Sequence, residues 1–350
     1  MIAFGWNGLP QYAARLIAAA EKRVGSEFLI IGSPPDVPIT GMEKILNRQI
    51  HWINEDSVTS WRNFGLGVPR VYFQPGWAYR GFNSLGEEVK KNGGAVVLMT
   101  DNRVSLNARQ LLGAAVFRIT KKHKFDAWFC PGLSGERLGI MFGMSRHVIW
   151  RGLYGADENL FFSGDPEMTR SKQILFVGRF IEKKCCLELA HAFLQSNAPR
   201  NGWTLRMIGS GPLRSKIPVG GGISVSDFRQ PEDVALEMRQ SRILALPSRA
   251  ENWGMVVHEA CLSGCGLLLS NEVGAADDFA RDANSVIVRD PTIENLRIGF
   301  NSIATWSDQR FRGAEKVSTE IAKSHGTSVF AGQVARIARD LLKNRITNEQ

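Results

Sequence analysis

No stretch of the 350-residue sequence reaches the ~18 consecutive apolar residues that a membrane-spanning helix needs. Asp-x-Asp does not occur, so a metal bridging a diphosphate is not indicated. C-x2-C pairs and histidine clusters are lacking too, which sets zinc sites aside. The first apolar strand runs into Gly5-Trp6-Asn7-Gly8 without G-x-G-x-x-G, which disfavours a dinucleotide oxidoreductase. The N-terminus, MIAFGWNGLP, has no basic n-region and meets Gly, Asn and Pro too early for a signal peptide. The expectation is a cytoplasmic chain starting on its first core strand. Cysteines number only five: Cys185 and Cys186 are adjacent, Cys261 and Cys265 share an expected helix, and Cys130 ends an expected strand. That odd, unpaired set fits reduced and mostly buried thiols.

What is present is globular: 44% hydrophobic and 22% charged residues, in a length that suits two domains. Short apolar runs alternate with helical spacing throughout. IAFGW (2–6), EFLIIGS (27–33), VYFQPGW (71–77), AVVLMTD (95–101), DAWFC (126–130) and HVIWRG (147–152) are the strands expected in the first half. QILFVGR (173–179), TLRMIGS (204–210), ISVSDF (223–228), RILALPS (242–248), GLLLSN (266–271) and SVIVRD (285–290) are those of the second. Continuous apolar strands separated by helices predict parallel sheets covered on both faces. A Gly-rich, aperiodic stretch at about 152–171 reads as a linker, and about 292–345 as helices alone. The expected domains are 1–155 and 156–324, with a C-terminal helix over about 325–350 packing back on the first.

The net charge of +9 implies an anionic partner such as phosphate, nucleotide or a membrane surface; nucleic acid is not expected. RITKKHKF places Arg118, Lys121, Lys122 and Lys124 at the end of a helix expected to begin near Ser105. These are either cations favoured by a helix C-terminus or a docking patch for anionic lipid.

In the second half, charge and glycine gather at strand ends. LFVGRFIEKKCC sets Gly178 and Arg179 after a strand and Lys184 one turn into the next helix, where both cations could meet one anionic group. MIGSGP offers Gly209 and Gly211 for a tight turn. In RAENWGMVVHEACLSGCG, Glu251 lies in the turn leaving a strand, and Asn252, Trp253 and Gly254 precede a helix. The N–H groups around Gly254, Met255 and Val256 suit a diphosphate. Glu259 lies deeper in that helix, placed for vicinal hydroxyls such as a ribose.

Together the Tyr-Gly-Ala-Asp linker, FVGR with a lysine five positions on, IGSGP, and Glu251-x7-Glu259-Ala resemble the retaining GT-B glycosyltransferases of family 4, over about 150 to 300. The resemblance implies an α/β fold of two Rossmann-like domains with parallel sheets facing across a cleft. It implies that Arg179 and Lys184 hold the diphosphate of a nucleotide-sugar donor. Glu251 would contact donor sugar hydroxyls, Glu259 the ribose, and the backbone at 254–256 the distal phosphate. The activity implied is retaining transfer to a saccharide or lipid-linked acceptor, without metal or other cofactor, in bacterial surface glycan synthesis. A nucleotide-sugar epimerase or a non-catalytic nucleotide-sugar binding protein are the alternatives.

The sequence departs from the family at several places. Asn252-Trp253 replaces the usual Gly-Phe, and Cys185 stands where a glycine usually follows the lysine. No histidine ends the central strand VVLMTDN, where Asp101 is the candidate contact to donor or acceptor sugar. Gly8, in place of a Gly-Gly loop, could still let backbone approach a leaving phosphate. Trp77 and Tyr79 are candidates to stack on an acceptor sugar, or else pack the domain.

Overall fold

The computed structural model describes residues 1–35, 39–164 and 170–346. It divides into two compact units, Met1–Gly155 with the chain from His325 onward, and Ala156–Ser324. Residues 165–169 of the expected linker and 347–350 of the expected last helix lie outside the described residues.

Unit 1 is built on β1 (Ile2–Trp6), β2 (Leu29–Gly32), β3 (His51–Trp52), β4 (Val71–Pro75), β5 (Ala95–Met99), β6 (Ala127–Cys130) and β7 (Ile149–Arg151). All pairings are parallel, in the order β3-β2-β1-β4-β5-β6-β7. β1, β4, β5 and β6 are buried along their whole length, as their nearly continuous apolar sequences require, with Gln74 of β4 the buried polar exception, its amide donating to the Gly76 carbonyl and Asn83. Helix Gln11–Val24 shows how one face is covered. Ala13, Leu16, Ile17 and Ala20 recur at helical spacing and are buried, and Gly25 caps the end at φ 77°. Beside it lies the last helix, Thr327–Ile346, whose Phe330, Val334 and Ile337 are fully buried in the same core as Phe4, Phe73 and Phe129.

Unit 2 carries β8 (Ser171–Val177), β9 (Thr204–Ile208), β10 (Ile223–Ser226), β11 (Ser241–Leu246), β12 (Gly266–Ser270) and β13 (Ser285–Val288). They form a second parallel sheet in the order β10-β9-β8-β11-β12-β13. Its core gathers Phe176, Phe193, Met207, Ile243, Leu268 and Phe300. In both units the chain steps outward from a central strand, then returns to that strand's other side. That reversal sets a crevice at the carboxyl ends of the two strands flanking it.

β1 and β6 end where their apolar runs end, whereas the other ten expected strands end one or two residues earlier, because the residues beyond the last pairing turn into the loops. Leu160 to Ser163 of the expected linker belong to unit 2, where Arg239 donates to the Leu160 carbonyl at 3.1 Å and lies over the Phe162 ring.

Candidate active site

The reversal in unit 2 falls between β8 and β11. The loop after β8 carries Gly178, Arg179, Lys183 and Lys184; the loop after β11 carries Ser248, Arg249 and Glu251. The Arg249 N–H donates to the Lys183 carbonyl at 2.8 Å, joining the two loops. The Lys184 ammonium pairs with the Glu251 carboxylate, and the two side chains are only 14% and 17% exposed. Fully buried Ser248 offers its hydroxyl to that carboxylate at 3.5 Å, while its own carbonyl accepts from the Ser270 hydroxyl. Lys184 and Glu251, expected on separate groups of one ligand, are thus direct partners. Arg179 is exposed, and its guanidinium meets no acid among the described residues.

Several glycines here serve loop-on-loop contact. A side chain on Gly209 would collide with the Gly178 carbonyl, and one on Gly211 would sit 2.5 Å from the Phe180 carbonyl. The Phe180 N–H donates to the Ser210 carbonyl at 2.7 Å, so the FVGR and IGSGP loops lie flush. Both glycines, expected against a donor, have this packing reason to be glycine. Cys185 takes the left-handed conformation, φ 52°, that explains the glycine usual at its place. Burial pushes its thiol up to about 11.

Glu251 is held from both sides by its backbone. Its N–H donates to the Glu272 carbonyl at 3.1 Å, and its carbonyl accepts from the Gly274 N–H at 3.0 Å. The Ala275 N–H donates to the Trp253 carbonyl at 2.9 Å, extending the ladder. A Cβ on Gly274 would collide with the Asn252 carbonyl. Asn252 is exposed, whereas the Trp253 indole is buried edge-on against Phe279 at 5.9 Å. The Trp253 ring is thus packed inside unit 2, and its backbone is the part that follows the crevice loop. Helix Met255–Leu262 starts at Gly254, φ 92°, with no side-chain cap from the described residues. Its first-turn N–H groups, including those of Met255 and Val256, form the electropositive end of the helix dipole.

One and a half turns in, Glu259 is half-buried, and no described group bonds its carboxyl. Burial pushes that carboxyl up to about 7. Its neighbour His258, buried, has a structural task. Nδ1 accepts from the Ala156 N–H at 3.0 Å, which assigns the proton to Nε2, 3.0 Å from the Ala322 carbonyl. This histidine ties together the chain entering and leaving unit 2. Sequence reasoning passed over it, because a histidine inside an apolar helix carries no signal of its distant partners.

In unit 1 the Gly8 N–H donates to Ser33 Oγ at 2.8 Å, and the Ser33 hydroxyl donates to Asn7 Oδ1 at 2.8 Å. Gly8, where backbone could approach a leaving phosphate, thus has its N–H engaged within unit 1. Asp101, after β5, bonds the Tyr154 phenol, which also bonds Tyr12 and lies 6.0 Å from the Trp6 ring. Burial, and then the charge of Asp101, raise the Tyr154 phenol well above its ordinary value, so it stays a donor to the carboxylate. Tyr154 belongs to the Tyr-Gly-Ala-Asp signature, a signal that sequence reasoning used only to mark the linker. Trp77 lies edge-on to Phe117 and Phe142 at 5.7 and 6.4 Å, and Tyr79 to Phe82 at 6.2 Å. Both rings make packing contacts within the unit and remain partly exposed. Among the described residues, no group of three or more His, Cys, Asp or Glu could hold a metal ion.

Residues 171–297 match the family model described as "Glycosyl transferases group 1". No curated protein matches the sequence. Solved structures of the same fold include HepE of Anabaena, in complex with UDP and glucose (12% identity, 97% of this chain and 100% of that chain, TM-score 0.72). They also include sucrose-phosphate synthase of Thermosynechococcus elongatus (13%, 98% and 100%, TM-score 0.72). A third is WaaG, a glycosyltransferase involved in lipopolysaccharide biosynthesis (15%, 96% and 99%, TM-score 0.64). The fold is the GT-B fold of these glycosyltransferases: two Rossmann-like units, each on a parallel sheet.

Proposed function

We propose that this chain is a retaining, metal-independent glycosyltransferase moving a sugar, a hexose in the simplest reading, from a nucleotide-diphosphate donor. Its acceptor would be a saccharide or a lipid-linked glycan, in bacterial surface glycan synthesis at the inner face of the membrane. One observation carries the reading: the β8/β11 crevice presents Arg179 and the Lys184–Glu251 pair beside the Gly254 helix end. It lies within the segment that matches the group 1 glycosyltransferases.

In this reading Arg179, Lys184 and the first-turn N–H groups take the diphosphate, and their charge stabilises what builds on the leaving nucleotide. Glu251, oriented by its backbone ladder, accepts from donor sugar hydroxyls while Lys184 turns to phosphate. Glu259 accepts from the ribose, and Asp101, steadied by Tyr154, is the unit 1 group for the sugar. Departure of the diphosphate and attack from the same face gives retention. HepE's complex with UDP and glucose makes UDP-glucose the first donor to test, and WaaG's role in lipopolysaccharide synthesis supports the surface glycan.

The test incubates purified protein with a panel of nucleotide sugars and reads nucleotide diphosphate release, with Glu251→Ala as control. Slow release from one donor, lost in the variant, is expected. Interconversion of donor sugars without release would replace transfer by epimerisation. Donor binding by calorimetry with no turnover, even with glycan acceptors added, would leave a binding protein.

A further inference from the structure

Helix Ala108–Thr120 of unit 1 turns its apolar side outward. Only Ala114 and Phe117 are buried, while Leu111, Leu112, Val116 and Ile119 are 51%, 67%, 42% and 80% exposed. Leu112, Ala115, Val116 and Ile119 recur at i, i+3, i+4 and i+7, so they form one continuous stripe. Leu106, also exposed, precedes it in the left-handed region at φ 51°. The Gln110 side chain fixes that turn, accepting from the Ser105 and Leu106 N–H groups at 2.7 and 3.1 Å. A row of large exposed aliphatics on one helix marks a surface that meets another apolar phase.

The surroundings say which phase. From Arg103 to Phe125 there are six Lys or Arg residues and no Asp or Glu. At the C-terminal end of the helix opens a cavity of about 320 Å³, with Trp77 and Phe125 among its walls and Lys91, Lys121 and Lys124 around it. Lys124 pairs with Glu87 at 2.7 Å. Lys91 and Lys121 bond no acid among the described residues. Two copies docked through this face would bring like charges together, whereas anionic headgroups would neutralise them.

We infer that this face docks on an anionic phospholipid bilayer. The Leu112–Ile119 stripe enters the acyl boundary with the helix lying in the membrane plane, and the lysine cavity receives a headgroup phosphate. This docking stands independently of the transfer reaction, and its test needs no turnover.

The full-length protein is sedimented with vesicles of phosphatidylcholine alone or mixed equally with phosphatidylglycerol. Binding is expected only to the mixed vesicles, falling as salt rises. Leu112→Ser with Ile119→Ser should cut the bound fraction at least about ten-fold, and Lys91→Glu or Lys121→Glu roughly five-fold or more per site. Leu112, Ile119 and Lys91 are exposed and Lys121 is partly so, and thermal melts should match the parent. An environment-sensitive dye on Ile119→Cys should shift to the blue only with mixed vesicles. No binding to either vesicle, binding unchanged by the serine pair, or a concentration-dependent dimer abolished by that pair would each overturn the inference.

Discussion

Arg179 and Lys184 carry the same charge but stand in different surroundings, and their substitutions should differ accordingly. Each replacement by Ala is expected to lower turnover on the order of 100-fold, the scale of losing one charge-stabilising group. Arg179→Ala should leave the melting temperature unchanged, since its guanidinium is exposed and holds no acid. Lys184→Ala strands the Glu251 carboxylate and should also lower stability, by about 3 kcal/mol. Chemical denaturation beside steady-state kinetics would show the split, and equal stability of the two variants would contradict the pairing. Glu259 makes a second prediction, through pH. Its folded-state value of about 7, against an ordinary 4.5, means the folded chain favours the protonated form. Stability is therefore unaffected below about 4.5 and falls as pH rises towards 7. Glu259→Gln should gain up to about 3 kcal/mol at pH 8 and nothing at pH 4, by melts at both pH values. It should weaken nucleotide diphosphate binding, which in the parent tightens as pH rises from 6 to 8. Residue types and spacing singled out Arg179, Lys184, Glu251 and Glu259 in the sequence as candidates, and the structure sets all four on the loops and helix around the β8/β11 reversal. The Lys184–Glu251 pairing was not legible there, because it crosses from one strand's loop to another's and depends on the reversal between β8 and β11.

At the scale of elements, the ladder between the Glu251 and Gly274 loops is the most demanding contact of the candidate site. Gly274→Ala places a methyl against the Asn252 carbonyl, so the ladder must open. The expected cost is about 2 kcal/mol or more in stability, with loss of donor binding as Glu251 shifts. Urea denaturation and calorimetry with nucleotide diphosphate measure both, and an unperturbed variant would show that the loops are not clamped there. The strands themselves were readable, because buried parallel strands carry nearly continuous apolar runs. β3 was not, since a two-residue edge strand has no periodicity to show. The outward stripe of helix Ala108–Thr120 was hidden for the opposite reason. Its 3.6-residue spacing is plain, but spacing alone does not tell which side faces the protein.

At the scale of the whole molecule, unit 2 is one continuous segment, whereas unit 1 is assembled from two. The last helix gives unit 1 Phe330, Val334 and Ile337, each fully buried. At about 1.5–3 kcal/mol for each such side chain, their loss is comparable to the entire 5–15 kcal/mol that holds a domain together. A chain ending at Ser324 should therefore lose the unit 1 unfolding transition in calorimetry and keep that of unit 2. Two surviving transitions would show that the helix is dispensable. The same division has a consequence for biosynthesis. The sheet of unit 1 is complete when Arg151 leaves the ribosome, but the helix that seals one face of it is translated only after unit 2. Roughly 170 residues of unit 2 come first, a wait of about 10–30 s at ordinary elongation rates. Through that interval the nascent chain carries an uncovered layer of phenylalanines, so unit 1, begun before unit 2, becomes native after it.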